Sequence, residues 1–199
     1  MALNGLIVGL GNPGDSYAGT RHNLGFMCTA ALMEDMDNVV SLSGGKFRAL
    51  LWKGTFPNLP GEWLIANPQT FMNLSGDCVQ PLAAWHRITP ERILVIHDEL
   101  DLPAGRMKFK CGGGDAGHNG LKSITQRLGT PNYYRLRLGT GHPKGSETIN
   151  WVLGKPSQQE REAFQRLMPA ACSCVRAFAE GSPEKATHLA NGYRDTEMQ

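Results

Sequence analysis

Leu6-Ile7-Val8-Gly9-Leu10-Gly11-Asn12-Pro13-Gly14 opens the first folded element of the chain. Leu6-Ile7-Val8 is a short apolar run, the mark of a buried strand. The strand ends in a loop of small and rigid residues, where α/β proteins place ligands. The literal spacing is G-x-G-x-x-G, the dinucleotide-binding fingerprint, which requires a helix to open within it. Here Pro13 removes an amide donor, and Asp15-Ser16-Tyr17-Ala18-Gly19-Thr20-Arg21-His22-Asn23 is mostly polar. A helical apolar stripe begins only at Leu24 and continues through Met27, Cys28, Ala31 and Leu32. Asn23 is placed to cap it. A plain turn without a ligand is the blander alternative, and His22 speaks against it.

A length of 199 residues suits one domain with a full core. With 41% hydrophobic and 19% charged residues the composition is that of a globular chain, not a disordered one. There is no apolar run near the membrane-spanning length. Met1-Ala2-Leu3-Asn4-Gly5 reads as the start of the fold and not as a signal peptide. Cys28, Cys78, Cys111, Cys172 and Cys174 are odd in number and form no C-x-x-C pair, so reduced, mostly buried thiols in the cytoplasm are expected. The net charge of +2 conceals a polarity. Between Arg106 and Lys155 nine basic residues, Lys144 among them, face only Asp115 and Glu147, a net of +7 that leaves −5 elsewhere. Such a face suits polyanions, and equally a solvated basic surface.

Further along, Phe47–Lys53 and Trp63–Ala66 read as strands of a hairpin. The loop from Asn67 to Gly76 follows, then a helix to Trp85 or His86, with Pro81 near its first turns or kinking it. Ile93–Ile96 is a buried strand leading into His97-Asp98-Glu99-Leu100-Asp101. Arg106–Cys111 alternates charged and apolar residues as a half-exposed strand does. The glycine-dense stretch Gly112–Gly120 is a mobile or tightly turned loop, and Leu121, Ile124 and Leu128 mark the next helix. Tyr133–Gly139 is a strand with Arg135 and Arg137 on one face and leucines on the other. A helix from Ser157 to Ala179 carries a capping box at Glu160 and is interrupted by Pro169. A last helix starts at Pro183, and the chain frays after Asn191. Strands alternating with helices give an α/β fold in one domain, 1–199, with a mixed sheet.

Four loops after predicted strands carry polar groups: Asn12 and His22, Asn67 and Asn73, His97 and Asp98, His118 and Asn119. One His with one Asp makes a base and its orienter. Asparagine amides can donate to a carbonyl and accept from an amide. There is no G-x-S-x-G elbow, no cysteine in these loops, and no H-E-x-x-H or similar metal spacing around His97, Asp98, Glu99 and Asp101. Glu99 and Asp101 read equally as a solvated acidic turn. His86 and His188 read as lone, non-functional histidines, and His142 as structural. The residues thus point to a hydrolytic His–Asp pair acting with water.

Gly9-Leu10-Gly11-Asn12-Pro13-Gly14, Thr20-Arg21-His22-Asn23-Leu24-Gly25, Pro68-Gln69-Thr70-Phe71-Met72-Asn73-Leu74-Ser75-Gly76, His97-Asp98-Glu99-Leu100-Asp101 and Gly117-His118-Asn119-Gly120-Leu121-Lys122 occur in an order and spacing that resembles bacterial peptidyl-tRNA hydrolase. Arg135–Gly139 and Val152–Pro156 extend the resemblance, which spans residues 5 to about 190. It implies a monomeric α/β protein with a twisted mixed sheet flanked by helices. It implies hydrolysis of the ester joining a peptide to the 3′ ribose of tRNA, which recycles tRNA from peptides dropped by stalled ribosomes, with no metal or cofactor and no membrane or obligate protein partner. By the same resemblance His22 is the base that activates water and Asp98 its carboxylate partner. Asn12 separates N-blocked from free aminoacyl-tRNA. Asn73 and Asn119 are substrate-binding amides, Tyr17, Phe71 and Met72 line the cleft, and Lys108, Lys110 and Arg137 meet tRNA phosphates. The chain departs from the pattern at Asp115 and Ala116, beside the expected tRNA surface. A tRNA- or ribosome-binding protein without catalysis would share the basic face but have no use for His22 with Asp98. A nucleotide-cofactor enzyme is the third reading.

Overall fold

Three apolar runs and one strand of alternating arginines and leucines build the centre of the sheet. β1 (Leu3–Gly9), β4 (Glu62–Pro68), β5 (Ile93–Glu99) and β7 (Tyr134–Gly139) lie side by side and parallel. Strands covered on both faces read as unbroken apolar stretches, and every residue of β5 is buried. Antiparallel strands finish the two edges: β3 (Ala49–Thr55) and β2 (Asp37–Leu42) on one side, β6 (Met107–Cys111) on the other. The order is β2-β3-β4-β1-β5-β7-β6. The computed structural model describes residues 3–143 and 147–197, so Lys144 of the basic segment lies outside them.

Helices cover both faces. α1 (Leu24–Glu34), α5 (Gln158–Ala179) and α6 (Pro183–Gly192) pack with Ile7, Ile65 and Ile96. α2 (Gly76–His86) and α3 (Asn119–Leu128) pack with Leu6, Val8 and Val95 on the other face. Successive strand residues point to opposite faces, so each central strand feeds both cores. The expected α/β fold with a mixed sheet is the observed one. A short α4 (Thr148–Val152) buries none of its residues and stands at the rim.

Several local expectations change. Asn23 does precede α1, but its side chain makes no cap bond. Its amide instead accepts from Asn12 N–H and donates to Asn12 C=O, at 2.9 and 3.0 Å. Phe47 belongs to a 3-10 turn, and the strand starts at Ala49. α5 runs unbroken through Pro169 because Leu167, Ala171 and Cys172 around it are buried, and that packing outweighs one missing backbone bond. Its capping box at Ser157 and Glu160 is present. The segment after Asn191 is held: Asp195 is buried and receives both Nε and Nη2 of Arg166. All five cysteines are free, and only Cys111 is exposed. No described helix is long and apolar enough to cross a membrane.

β4 and β5 flank β1, so connections diverge there and leave a crevice at the carboxyl ends of the strands. Gly25 lets α1 press onto that end. A Cβ at Gly25 would run into the backbone of Leu10 and the carbonyl of Ile96, across the hydrogen bond from Leu10 N–H to Ile96 C=O. Gly25→Ala is therefore expected to cost roughly 1–3 kcal/mol by overpacking. A urea titration should show a lower midpoint at unchanged slope, and an unmoved midpoint would refute the close packing.

Candidate active site

Asp98 is the penultimate residue of β5, at the carboxyl edge of the sheet, and is 2% exposed. A carboxylate so placed must be surrounded by donors or lose its charge. Two imidazoles supply them. His22 Nδ1 lies 2.9 Å from both Asp98 oxygens, and His118 Nε2 lies 2.9 Å from Oδ1. Burial by itself would raise the Asp98 carboxyl, but His118 and His22 together hold it far below the usual carboxylate range.

The proton positions follow from the other ring atoms. His118 precedes α3, and its Nδ1 accepts from the N–H groups of Gly120 and Leu121 at 3.2 and 3.4 Å. Nδ1 therefore carries no proton, and the neutral ring donates from Nε2 to Asp98. His22 has no such constraint. Its Nδ1–H faces Asp98, while Nε2 has no partner among the described residues and is not among the buried unsatisfied atoms. One lone pair on one imidazole thus looks into the cleft, which is the arrangement of a general base.

The cleft has a volume of about 130 Å³. His22, Asp98, His118 and Asn119 form its polar floor, with Ala116 and Gly117 from the glycine loop. Thr148, Ile149 and Val152 of α4 form the facing wall, and Ile149 is 73% exposed. One ligand atom each from His22, Asp98 and His118 lies within 4.8 Å of the others, a grouping that could hold a metal ion. A divalent ion there would have to break both histidine–carboxylate bonds and remove the His118 Nε2 proton, so the donor set fits hydrogen bonding better than ligation.

The remaining sequence candidates divide. Asn12 is buried, and its Oδ1 accepts from Met72 N–H at 2.8 Å, tying the loop after β1 to the loop after β4. Asn12 Nδ2 has no partner among the described residues and is not a buried atom. Met72 contributes that backbone group while its side chain belongs to the core. Phe71 and Asn73 are exposed beside it, and Tyr17 is half-buried at the end of a 3-10 turn. Asn67 is taken up by Thr29, whose hydroxyl donates to Asn67 Oδ1. His97 points away from the pair: it is buried, with Nδ1 on the Asp98 carbonyl at 2.7 Å.

Glu99 is not a solvated acid. It is buried and accepts from Arg137 Nε at 2.8 Å. Asp101 is exposed and pairs with His142. Lys108 is exposed on β6, opposite Arg137, and Lys110 is opposite Arg135. Partial burial, then the charges of Arg137 and Arg135, hold the Lys110 ammonium below its usual value. Arg135 itself is buried, its Nη1 and Nη2 donating to the carbonyls of Gly114 and Gly113 at the foot of the glycine loop.

The model of the family described as peptidyl-tRNA hydrolase matches residues 6–198. The chain belongs to this family of hydrolases. It is 54% identical over 200 residues to the peptidyl-tRNA hydrolase of Nitratidesulfovibrio vulgaris strain Miyazaki F, covering 98% of this chain and 99% of that one. It is 51% identical over 195 residues to the protein of the same name from Desulfovibrio desulfuricans, covering 96% and 85%. Among solved structures, the peptidyl-tRNA hydrolase of Acinetobacter baumannii superposes with a TM-score of 0.90 at 36% identity, covering 98% of both chains. The family's fold is thus the one built here from its runs of apolar residues.

Arg21 and the α4 wall escaped the sequence reading of the site, which named His118 among the loop polar groups without giving it a role. His118 was visible only as a polar residue before a helix; that it caps the helix with one nitrogen and Asp98 with the other needs coordinates.

His97 yields a test of the buried floor. Burial first, and then His118, hold its imidazole well below the ordinary histidine value. The unfolded chain protonates His97 near pH 6.5 and the folded chain does not, so stability falls as pH drops below about 6.5. The Asp98 contribution has the same sign but is lost only below about pH 4. His97→Gln should therefore lose less Tm than the parent between about pH 7 and pH 5. Equal losses in both proteins would show that His97 is not held neutral.

Proposed function

We propose that the chain hydrolyses the ester between a peptide and the 3′ ribose of tRNA, returning the tRNA for reuse, and that it works as a cytoplasmic monomer without metal or cofactor. The observation that carries this reading is His22 Nε2, an imidazole nitrogen at the cleft that has no partner among the described residues and is backed by Asp98. His22 takes a proton from water as the water oxygen adds to the ester carbonyl. Asp98 stabilises the imidazolium so formed. As the tetrahedral intermediate collapses, the acyl–oxygen bond breaks and the ribose 3′ oxygen takes the proton back from His22. His118 cannot compete as a base, because its free lone pair is spent on the amino end of α3.

Asn12 supplies the discrimination. Met72 N–H fixes the amide orientation by holding Oδ1, so the donor Nδ2 is presented. An N-blocked aminoacyl group offers a carbonyl oxygen to such a donor, and an unblocked one offers an ammonium that finds no acceptor. Asn73 and Asn119 add sequence-independent amides for the peptide backbone, and Tyr17 and Phe71 add apolar contact. Lys108, Lys110 and Arg137 bind phosphates at the β6–β7 edge. The mutual crowding of Lys110 with Arg137 and Arg135 is relieved by an anion placed there.

His22→Ala should lower kcat about 10²–10⁴-fold while tRNA affinity stays near the parent value. Release of the acyl group from N-acetylaminoacyl-tRNA, alongside the unblocked ester, measures this. Parent-like turnover by the variant would remove His22 as the base, and equal cleavage of both esters by the parent would remove the role of Asn12. Tight binding of both without cleavage would favour a non-catalytic tRNA-binding protein. Replacing Lys108 and Lys110 together with Ala should raise KM and reduce the log–log salt slope by about two; an unchanged slope would move the phosphate contacts elsewhere.

A further inference from the structure

α4 forms the cleft wall facing His22, yet it is a helix of five residues without a buried side chain or a side-chain cap. A single turn does not hold itself in water, because nucleation costs more than its few bonds return. Something outside α4 must place it. The last carbonyls of a helix lack partners within it, and one residue reaches both the end of α4 and the turn that follows it. Arg21 Nη1 donates to the carbonyls of Trp151 and Lys155 at 3.2 and 3.3 Å, and Arg21 N–H donates to that of Gly154 at 3.2 Å. The guanidinium carbon lies 3.8 Å from the centre of the Trp151 ring. Glu160 balances the charge in a two-pronged pair, receiving Nε at 3.0 Å and Nη2 at 2.8 Å. Glu160 is anchored in turn by Ser157 N–H at 2.7 Å. Arg21 is 6% exposed, and the next residue in the chain is His22.

We propose that Arg21 is a positioning residue: it clamps α4 to the segment carrying the catalytic base and so fixes the width of the cleft between His22 and the Ile149–Val152 wall. The inference deepens the proposed ester hydrolysis and rests on it. Arg21 is not among the residues that line the cleft. It acts through the wall, on the seating of the acyl group, so its loss should appear in KM and not in proton transfer. Lysine cannot replace it, since an ammonium lacks both the planar fork that grips Glu160 and the flat face that lies on Trp151.

The test uses Arg21→Lys and Trp151→Leu in the full chain, with N-acetylaminoacyl-tRNA as substrate and hydrogen exchange of the Trp151, Leu153 and Gly154 amides as a second readout. Arg21→Lys is expected to raise KM about tenfold with kcat within about threefold of the parent and an unshifted pH profile. Those three amides should exchange faster while the amides of α1 keep their rates. Trp151→Leu should move KM and exchange the same way by less, and it carries the test if Arg21→Lys does not fold. Parent values of KM and exchange in the variants would overturn the clamp. So would a fall in kcat with a displaced pH profile, which would make Arg21 a partner of the base. A parent protein inactive on the blocked ester would sink the hydrolase reading, and the exchange rates would still decide whether Arg21 holds α4.

Discussion

A charge sits near the end of β5, beside the central strand of the sheet, and the site is arranged around it. Removing a carboxylate from water costs on the order of several kcal/mol even after relaxation, and Asp98 is buried beneath the cleft. Its ionisation survives because two N–H groups converge on it from segments far apart in sequence, one before α1 and one before α3. Each histidine thereby has its Asp98-facing nitrogen committed as a donor. For His118 the other nitrogen is also committed, to the amino end of a helix. For His22 it is not. Two imidazoles share one carboxylate, and only one of them keeps a free lone pair.

The polar loops around this pair are fixed by side chains that imitate backbone. Asn23 meets both the N–H and the C=O of Asn12, as a neighbouring strand would. Asn12 then reaches across to Met72 N–H, joining the loops that follow β1 and β4. A loop proposed to bind substrate must not refold around each ligand, and these bonds give it rigidity without an apolar core of its own. The same economy explains why amide-rich loops mislead. Asn23 carries the same groups as Asn12 and Asn119, but both of its amide atoms are spent inside the fold.

The central strands were legible in the sequence because β1, β4 and β5 carry short unbroken apolar runs and β7 alternates arginines with leucines. The capping box at Ser157 was legible because it is local. β2 was not: Asp37–Leu42 is an edge strand without a buried residue, so its sequence carries no burial signal. Nor was α4, which has neither an apolar stripe nor a cap. Asn23 had the right position and chemistry for a cap but was claimed by Asn12 across the crevice. Glu99 and Arg137 lie 38 residues apart, and only the parallel pairing of β5 with β7 makes an ion pair of an apparent acidic turn. Local chemistry could be read directly. Groups that act through a distant partner required either the resemblance, as for His22 with Asp98, or the coordinates, as for His118 and Arg21.

The Glu99–Arg137 pair also bears on how one chain could handle a substrate with two unlike ends. Phosphates are bound by charge that reaches as far as the Debye length, about 8–10 Å at physiological salt. An ester is cleaved by groups that act only in contact. If the positive field of the β6–β7 edge reached the cleft unopposed, it would disfavour the imidazolium that the proposed reaction forms on His22. Glu99 stands between them, lining the cleft while accepting from Arg137. Asp98 does the same work one residue earlier, against His22 itself. Two adjacent carboxylates at the end of β5 thus face opposite demands: one stabilises the cation that forms during the proposed reaction, and the other restrains the cations proposed to bind the tRNA.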